Sequence, residues 1–458
     1  MKMLVQHFFV PGLAHSSYLL GGSSSCAIVD PQRDIDVYIA AAKALDLKIT
    51  HILETHLHAD FISGHMDLAG QTGAAIYAPK AGNCKYRHIG LAEGDSFAID
   101  DMRILALDTA GHTPEHISYV VVDLERGEDP VSVFCGDTLF VGDVGRPDLF
   151  PGRALELASK LYDNLHGKLM NLPDFCEVYP AHGAGSLCGR ALGDKRTSTI
   201  GYERKRNAAL RIRDKDAFIA SLTTGMPAAP DHFARCSAIN GAGPALVRNL
   251  PTPVPMTAEA FAPHAQKAEA VVLDVRPFDA FGGQHIPGAW NIDISGNFAT
   301  FAGWTLPADG EILLVADGEA VVQAATVWLR RVGLDNVTGY LEGGMLSWNM
   351  AGKPTEHIAQ LNPQELNQLI GSNSGIVLVD ARSPQEFEKM NIPGALNIPA
   401  PDMRMRYSEL PRDKSIVVIC SAGIRSSLAA SILQRNGFND VKSVAGGMTG
   451  YAAAGFAG

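Results

Sequence analysis

The sequence predicts an α/β multidomain protein: a sandwich of two β-sheets with helices outside it, followed by two α/β domains with parallel sheets. Three observations predict this. Up to about residue 235, short β-rich runs alternate with turn signals while helical patterns are few. From Asn240 to Pro255 comes "NGAGPALVRNLPTPVP", too dense in Gly and Pro to continue a helix or a central strand. Beyond it, one stretch of text occurs twice, which marks an internal repeat.

A chain of 458 residues is about three times the usual domain length, so two to four cores are expected. In the first part the β-rich runs are "SSCAIVD", "ITHILET", "AAIYAP", "MRILALDT", "SYVVVD", "VSVFCGDT" and "CEVYPAHG". The clearest helical pattern spans Asp34 to Leu47, where an Asp N-cap precedes apolar positions Ile35, Ile39, Ala42 and Leu45. The Gly/Pro-dense stretch reads as a linker. In the repeat, "VVLDVRPFDAFGGQHIPGAWNI" from Val271 returns as "IVLVDARSPQEFEKMNIPGALNI" from Ile376, and the text from Glu311 returns from Ser415. Each copy reads strand, helix, strand, helix, the pattern of a parallel sheet covered by helices. The expected boundaries are 1–240 for the sandwich, 241–256 for the linker, 257–356 for the first copy and 357–458 for the second.

Composition narrows the function. With 46% hydrophobic and 19% charged residues, and no apolar run of about 18 residues, no membrane partner is expected. The opening "MKMLVQHFFVPGLAHSSYLL" lacks a signal-peptide layout, so a cytoplasmic enzyme is expected. A net charge of -11, with no basic tract longer than "ERKR" at Glu203 to Arg206, argues against nucleic acid as a partner. The seven cysteines, 26, 84, 135, 176, 188, 236 and 420, are odd in number and form no C-x-x-C pair. They suit reduced thiols better than a disulfide framework or a zinc ribbon.

Several fragments of the first domain carry metal-ligand chemistry: "THLHADF" with His56, His58 and Asp60, "GHTPEH" with His112, "CGDT" with Asp137, and "PAHG" with His182. Each is expected just after a β-rich run, which would gather the side chains at one rim of the sandwich. On these fragments the domain resembles the metallo-β-lactamase superfamily, and the resemblance implies a four-layered αββα sandwich with the metal site between the sheets. In that superfamily, H-x-H-x-D-H supplies a second metal. Here Phe61 replaces the closing His, so that second site should be empty or weak.

What remains is His56, His112 and Asp137, a two-His, one-carboxylate set that leaves open positions on a single Fe(II), one per chain. Within the superfamily "THLHADF", "GHTPEH", "GDTLFVGDVGRPDL" and "YPAHGAG" look most like the persulfide dioxygenases fused to rhodanese domains. The family implies oxidation of a small-molecule persulfide, of glutathione, coenzyme A or inorganic polysulfide, by O2 to sulfite. His58, Asp60 and His182 would orient ligands or move protons around the metal. Glyoxalase-II-like thioester hydrolases share the scaffold and are the competitor that Phe61 counts against; a sulfur relay without oxygenase activity is a third reading. Flanking glycines at Cys188 suggest an exposed loop near the metal, where the thiol would carry a persulfide, although a free cysteine is ordinarily a small buried side chain. Arg146 in "GRPDL" either steers an anionic substrate or pairs with Asp148.

In the second copy a strand ends at Cys420 and runs through Ser421, Ala422, Gly423 and Ile424 to Arg425 at the head of a helix. Backbone N–H groups and a cation at such a turn stabilise a thiolate or persulfide anion. This unit resembles the rhodanese family, which implies sulfur transfer between sulfite and thiosulfate through a Cys420 persulfide, with Arg425 closing the loop. In the first copy Ala316 aligns with Cys420 and Val321 with Arg425, while Asp317 and Glu319 would repel an anion. That copy is expected to be an inactive spacer that packs between the active domains or mediates self-association.

Overall fold

The computed structural model describes residues 3–456 apart from Ala191, Pro227 and Asn373. The chain forms two compact units: the first takes residues up to Asn249 together with Arg330–Gly333, the second Leu250–Leu329 and the residues from Leu334 on.

The first unit carries two six-stranded sheets. One is ordered β1 (Leu4–Val10), β2 (His15–Gly21), β3 (Ser25–Val29), β4 (Lys48–Leu53), β5 (Ala75–Pro79), β6 (Ile89–Leu91). The other runs β12 (Ser198–Thr199), β11 (Glu177–Pro180), β10 (Pro130–Gly136), β9 (Ile117–Asp123), β8 (Met102–Asp108), β7 (Ser96–Ile99). Strand alternation builds the layers. On β2 and β3, Tyr18, Leu20, Ala27 and Val29 face Ile104, Tyr119 and Phe134 of the other sheet, while Leu19, Cys26 and Ile28 pack outward with Tyr38 and Leu68 of the helices Asp36–Ala44 and His65–Thr72. On the far side Val133, Cys135 and Val178 pack on Leu161 and Phe218 of Ala154–Gly167 and Lys215–Thr223. Because both faces of these strands are covered, they read as continuous apolar runs. The result is an αββα sandwich.

All seven β-rich runs lie on strands, but the β1–β2 hairpin was not expected. Its polar His15, Ser16 and Ser17 are buried, so the usual alternation is hidden. The helix expected from Asp34 begins later, at Asp36, and its N-cap is Ile35 without a capping side chain. Asp34 instead accepts from Gln32 Nε2 at 3.0 Å.

The second unit holds two five-stranded parallel sheets of identical order. The first is β13 (Val254–Met256), β17 (Val337–Leu341), β16 (Glu311–Val315), β14 (Ala270–Asp274), β15 (Trp290–Asn291). The second is β18 (Ala359–Leu361), β22 (Val441–Val444), β21 (Ile416–Ile419), β19 (Val377–Asp380), β20 (Leu396–Asn397). The copies share small details as well. Arg276 grips Asp274 and Arg382 grips Asp380, each at 2.6 Å, and Asn291 and Asn397 each donate to the two backbone carbonyls flanking that turn.

One boundary needs correction. Of the linker expected at 241–256, residues up to Asn249 belong to the first unit, and Val254–Met256 is a strand paired with β17. Pro255 is tolerated there because β13 is an edge strand, where a missing N–H leaves no gap in the ladder.

Candidate active sites

At one rim of the sandwich, His56 follows β4, His112 precedes β9 and Asp137 follows β10 directly. All three are fully buried, and His56 Nε2, His112 Nε2 and Asp137 Oδ2 lie within 4.8 Å of one another. None of these atoms has a hydrogen-bond partner among the described residues. Asp137 Oδ2 stands 3.3 Å from His112 Nε2 and 3.8 Å from His56 Nε2 without hydrogen-bond geometry. Three converging, buried, unsatisfied donors are costly unless a cation satisfies them.

The outer atoms of the same groups are all engaged. Thr55 Oγ1 donates to Asp30 at 2.9 Å and accepts from His56 Nδ1 at 2.9 Å. His112 Nδ1 donates to the Arg146 carbonyl at 2.8 Å, and His182 Nδ1 donates to Asp137 Oδ1 at 2.7 Å. Each outer bond fixes a tautomer with its lone pair turned inward, the arrangement metal-binding histidines use. Burial pushes His56 and His112 down, so both stay neutral as ligation requires. Burial alone would raise Asp137, but His182, His112 and His56 hold it well below the ordinary carboxylate value.

His58 does not join this set. Its Nε2 lies 3.1 Å from Asp30 Oδ1 and 3.8 Å from Glu54, so it supports the Asp30–Thr55–His56 chain from behind. Asp60 Oδ2 lies 2.8 Å from His182 Nε2. Burial disfavours the His182 charge, yet Asp137 and Asp60 on either side raise its affinity for a proton well above the ordinary value. Phe61 is 1% exposed, its ring 4.0 Å from the His15 ring and 4.4 Å from the His58 ring. Asn240 pins this turn by donating to the carbonyls of His58 and Phe61, both at 2.8 Å.

One expectation is overturned, and one choice between two readings is decided. The Cys188 thiol does not face solvent: the residue is 1% exposed, burial with the charges of Asp60 and Asp137 pushes its thiol well up, and its backbone carbonyl accepts from Arg146 N. The loop itself does reach solvent at Gly185 and Arg190, but the Cys188 side chain turns inward. For Arg146, of its two readings, the pairing with Asp148 is the one observed. Its guanidinium makes a two-point pair with Asp148 at 2.7 and 2.8 Å and donates to the Leu187 carbonyl at 3.2 Å, so it fixes the loop that carries Cys188.

Sequence reading missed His15, Asp30, Thr55 and His116. His116 accepts from Asp137 N at 3.0 Å and so anchors the ligand's backbone. It stood in view, as the second His of "GHTPEH".

In the second unit Cys420 ends β21 and precedes the helix Ile424–Arg435. Gly423 N–H donates to its sulfur at 3.1 Å, with Ser426 Oγ at 3.5 Å. Gly447 lies over this loop at φ +53°, where a Cβ would overlap the Cys420 carbonyl and the Ser421 backbone; only glycine fits. The first copy keeps the same device, Gly344 against the Ala316 carbonyl, around a position without a nucleophile. A cavity of about 290 Å3 in front of Cys420 is lined by Ser421, Ala422, Ile424 and Arg425, and also by Gly296, Asn297 and Phe301 of the first copy. That copy is therefore more than a spacer. Sequence reasoning had no means of assigning it this wall.

Arg425 closes the loop less directly than expected. Its two terminal nitrogens pair with Glu386 at 2.6 and 2.7 Å, and one of them donates to Ser421 Oγ. The capping box at Ser383, in which Glu386 is the fourth residue, was a sequence signal for Glu386. The hydrogen bonds from Arg425, acting against burial, hold the Glu386 carboxyl at about 2 instead of 4.5. A lowered folded-state value means the unfolded chain takes up the proton first, so the pair's contribution is complete above about 4.5 and is lost as pH falls toward about 2. The urea midpoints of wild type and Glu386→Gln should accordingly converge as pH falls through that window; a gap that stays constant would show that the pair does not stabilise the loop.

Fold and sites together define an enzyme whose αββα sandwich carries a candidate metal site and is joined to two parallel-sheet domains of one pattern. The chain belongs to the metallo-β-lactamase superfamily, as a fusion with two rhodanese-like domains: residues 10–182 match the metallo-beta-lactamase superfamily, and residues 257–351 and 362–454 match the rhodanese-like domain. It is 30% identical over 204 residues to the mitochondrial persulfide dioxygenase ETHE1 of Mus musculus, covering 43% of this chain and 74% of that protein. A probable metallo-hydrolase of Burkholderia pseudomallei is 32% identical over 260 residues, covering 48% of this chain and 85% of that protein. A hydroxyacylglutathione hydrolase of Rhodospirillum rubrum is 35% identical over 162 residues, covering 35% of this chain and 58% of that protein. A crystal structure of a metallo-beta-lactamase from Staphylococcus aureus superposes with a TM-score of 0.68 at 35% identity, covering 74% of this chain and 99% of that one. Among the described residues no helix is long and apolar enough to cross a membrane.

Proposed function

We propose that the first unit is a cytoplasmic, mononuclear iron persulfide dioxygenase and that the second copy of the repeat is a sulfurtransferase acting through Cys420. The observation that carries the first half is the trio of inward, partnerless donors, His56 Nε2, His112 Nε2 and Asp137 Oδ2. Two imidazoles and one carboxylate are the set used by non-haem Fe(II) oxygenases. Bound there, Fe(II) would supply Lewis acidity and adjacent open positions for a persulfide sulfur and O2. The residues do the rest: Thr55, the Arg146 carbonyl and His182 hold the ligands in one orientation, and Phe61, packed on the His15 ring, puts a phenyl ring where a further imidazole would otherwise stand. The reaction consumes O2 and water with R–S–SH and returns R–SH, sulfite and two protons. In the second unit the Cys420 thiolate attacks the outer sulfur of thiosulfate, the S–S bond breaks with its electron pair on sulfite, and Cys420 is left as a persulfide. The reverse transfer uses the same groups.

Iron-loaded protein is expected to take up O2 when glutathione persulfide is added, releasing sulfite or thiosulfate. The hydroxyacylglutathione hydrolase match supports a second reading, thioester hydrolysis. Hydrolysis of an acyl-glutathione without persulfide-dependent O2 uptake would select it and sink the first.

A further inference from the structure

We propose that Ser426 is a further catalytic residue of the Cys420 site and that Ser443 positions it: the Ser426 hydroxyl turns onto Cys420 Sγ whenever that sulfur carries the charge, so that Cys420 leaves readily when its persulfide is discharged. The proposal rests on the sulfurtransferase reading of Cys420 and adds to it a means of release.

The three side chains form one buried chain. Ser443 Oγ donates to Ser426 Oγ at 2.9 Å, and the Cys420 thiol donates to Ser426 Oγ at 3.5 Å. Ser426 and Ser443 are fully buried and Cys420 is 1% exposed. Ser426 has one proton and two acceptors for it. While Cys420 is a thiol, that proton goes to the Gly423 carbonyl at 2.9 Å. Once Cys420 is a thiolate, its own proton is gone and the Ser426 hydroxyl is free to swing onto the sulfur. The swing costs little: the Gly423 carbonyl keeps the Ser427 N–H at 3.1 Å, and Ser426 keeps the proton offered by Ser443. The thiolate then holds two donors, Ser426 and the Gly423 N–H at 3.1 Å, and a bond to an ionised acceptor is roughly twice as strong as one to a neutral group.

Other hydroxyls near the loop are committed elsewhere: Ser421 accepts from Arg425, Ser427 donates to Asn291, and Ser431 donates to the Leu428 carbonyl. The first copy of the repeat supplies an internal comparison. The offset that aligns Ala316 with Cys420 places Val322 opposite Ser426 and Gly339 opposite Ser443. The copy without a nucleophile thus lacks both hydroxyls, although it keeps Gly344, the glycine that shapes the loop. The position of the charge gives the effect its direction. When sulfite attacks the outer sulfur of the Cys420 persulfide anion, the S–S bond breaks, its electron pair goes to Sγ, and thiosulfate departs. In the persulfide the charge sits on the outer sulfur; in the free thiolate it sits on Sγ, where Ser426 reaches it. Ser426 therefore favours discharge over loading, whereas a merely structural residue would serve both steps alike.

The test uses the full-length chain without oxygen, equilibrated with mixtures of thiosulfate and sulfite at about pH 9.5, where an ordinary thiol is ionised. Intact-protein mass spectrometry reads the sulfur adduct that Cys420→Ser lacks, and rapid mixing gives the rates of loading and discharge. Ser426→Ala is expected to raise the ratio of loaded to free protein about 10-fold, with discharge to sulfite slower and loading no slower than in wild type. Ser443→Ala should move the ratio the same way by about 3-fold, through the weakened Ser426 hydroxyl. Ser431→Ala, a buried hydroxyl of the same helix outside the chain, should match wild type. An adduct whose ratio Ser426→Ala leaves unmoved overturns the proposal alone, as does a variant in which loading and discharge slow together. A wild type that takes up no sulfur from thiosulfate refutes the sulfurtransferase reading, and the proposal with it.

Discussion

Substitution of His112 by Ala is expected to abolish persulfide-dependent O2 uptake and to weaken metal binding at the first site by more than ~100-fold, the upper end of what losing a mere outer partner costs. The substitution removes one of three inward donors, and the imidazoles beside His56 and Asp137 are already engaged. His116 is occupied by the Asp137 backbone and by Thr109, and His58 by Asp30. The Arg146 carbonyl also loses its donor, Nδ1 of His112. Sulfur transfer by Cys420 should be unchanged. Metal analysis after gel filtration, with an oxygen electrode, reads both effects; substantial O2 uptake by this variant would mean that the chemistry lies elsewhere.

Cys420→Ser should give the complementary result: thiosulfate sulfurtransfer lowered by ~10³-fold or more, with O2 uptake at the wild-type rate. The hydroxyl fits the same loop and still accepts from Gly423 N–H, so the fold is kept. What disappears is a polarisable sulfur able to attack a sulfane sulfur and carry it. Single-turnover transfer from thiosulfate to cyanide isolates this step from the first unit. Loss of both activities together would refute the division into two sites.

The strands and the convergence of His56, His112 and Asp137 were legible because burial imposes a pattern. A strand covered on both faces must be apolar throughout, and His56 and Asp137 each appear soon after such a run ends. The repeat was legible by self-comparison. Three things were hidden for physical reasons. The β1–β2 hairpin buries Ser16, Ser17 and His15, with Ser16 bonded to His7 and Ser17 to Tyr38, so its polar residues look like loop. Arg146 and Cys188 offered two readings each, and only three-dimensional proximity decides whether a guanidinium finds Asp148 or a substrate. The wall of the Cys420 cavity comes from the other copy of the repeat, and no local pattern announces a contact made by Asn297 and Phe301.

That shared wall changes what the duplication means. Along the helix Ile424–Arg435, residues from Ser426 to Leu433 are all buried; Ser427 bonds Asn291, and Ser431 accepts from the Asn291 backbone. Three serines on one helix are too polar to be covered by sheet alone, and part of their cover comes from the degenerate twin. The copies are therefore not interchangeable cassettes. Severing the chain near residue 357, the place the text most invites, would leave the nucleophile in a half-open vessel with polar groups stripped of their mates. One twin gave up the reagent and kept the mould.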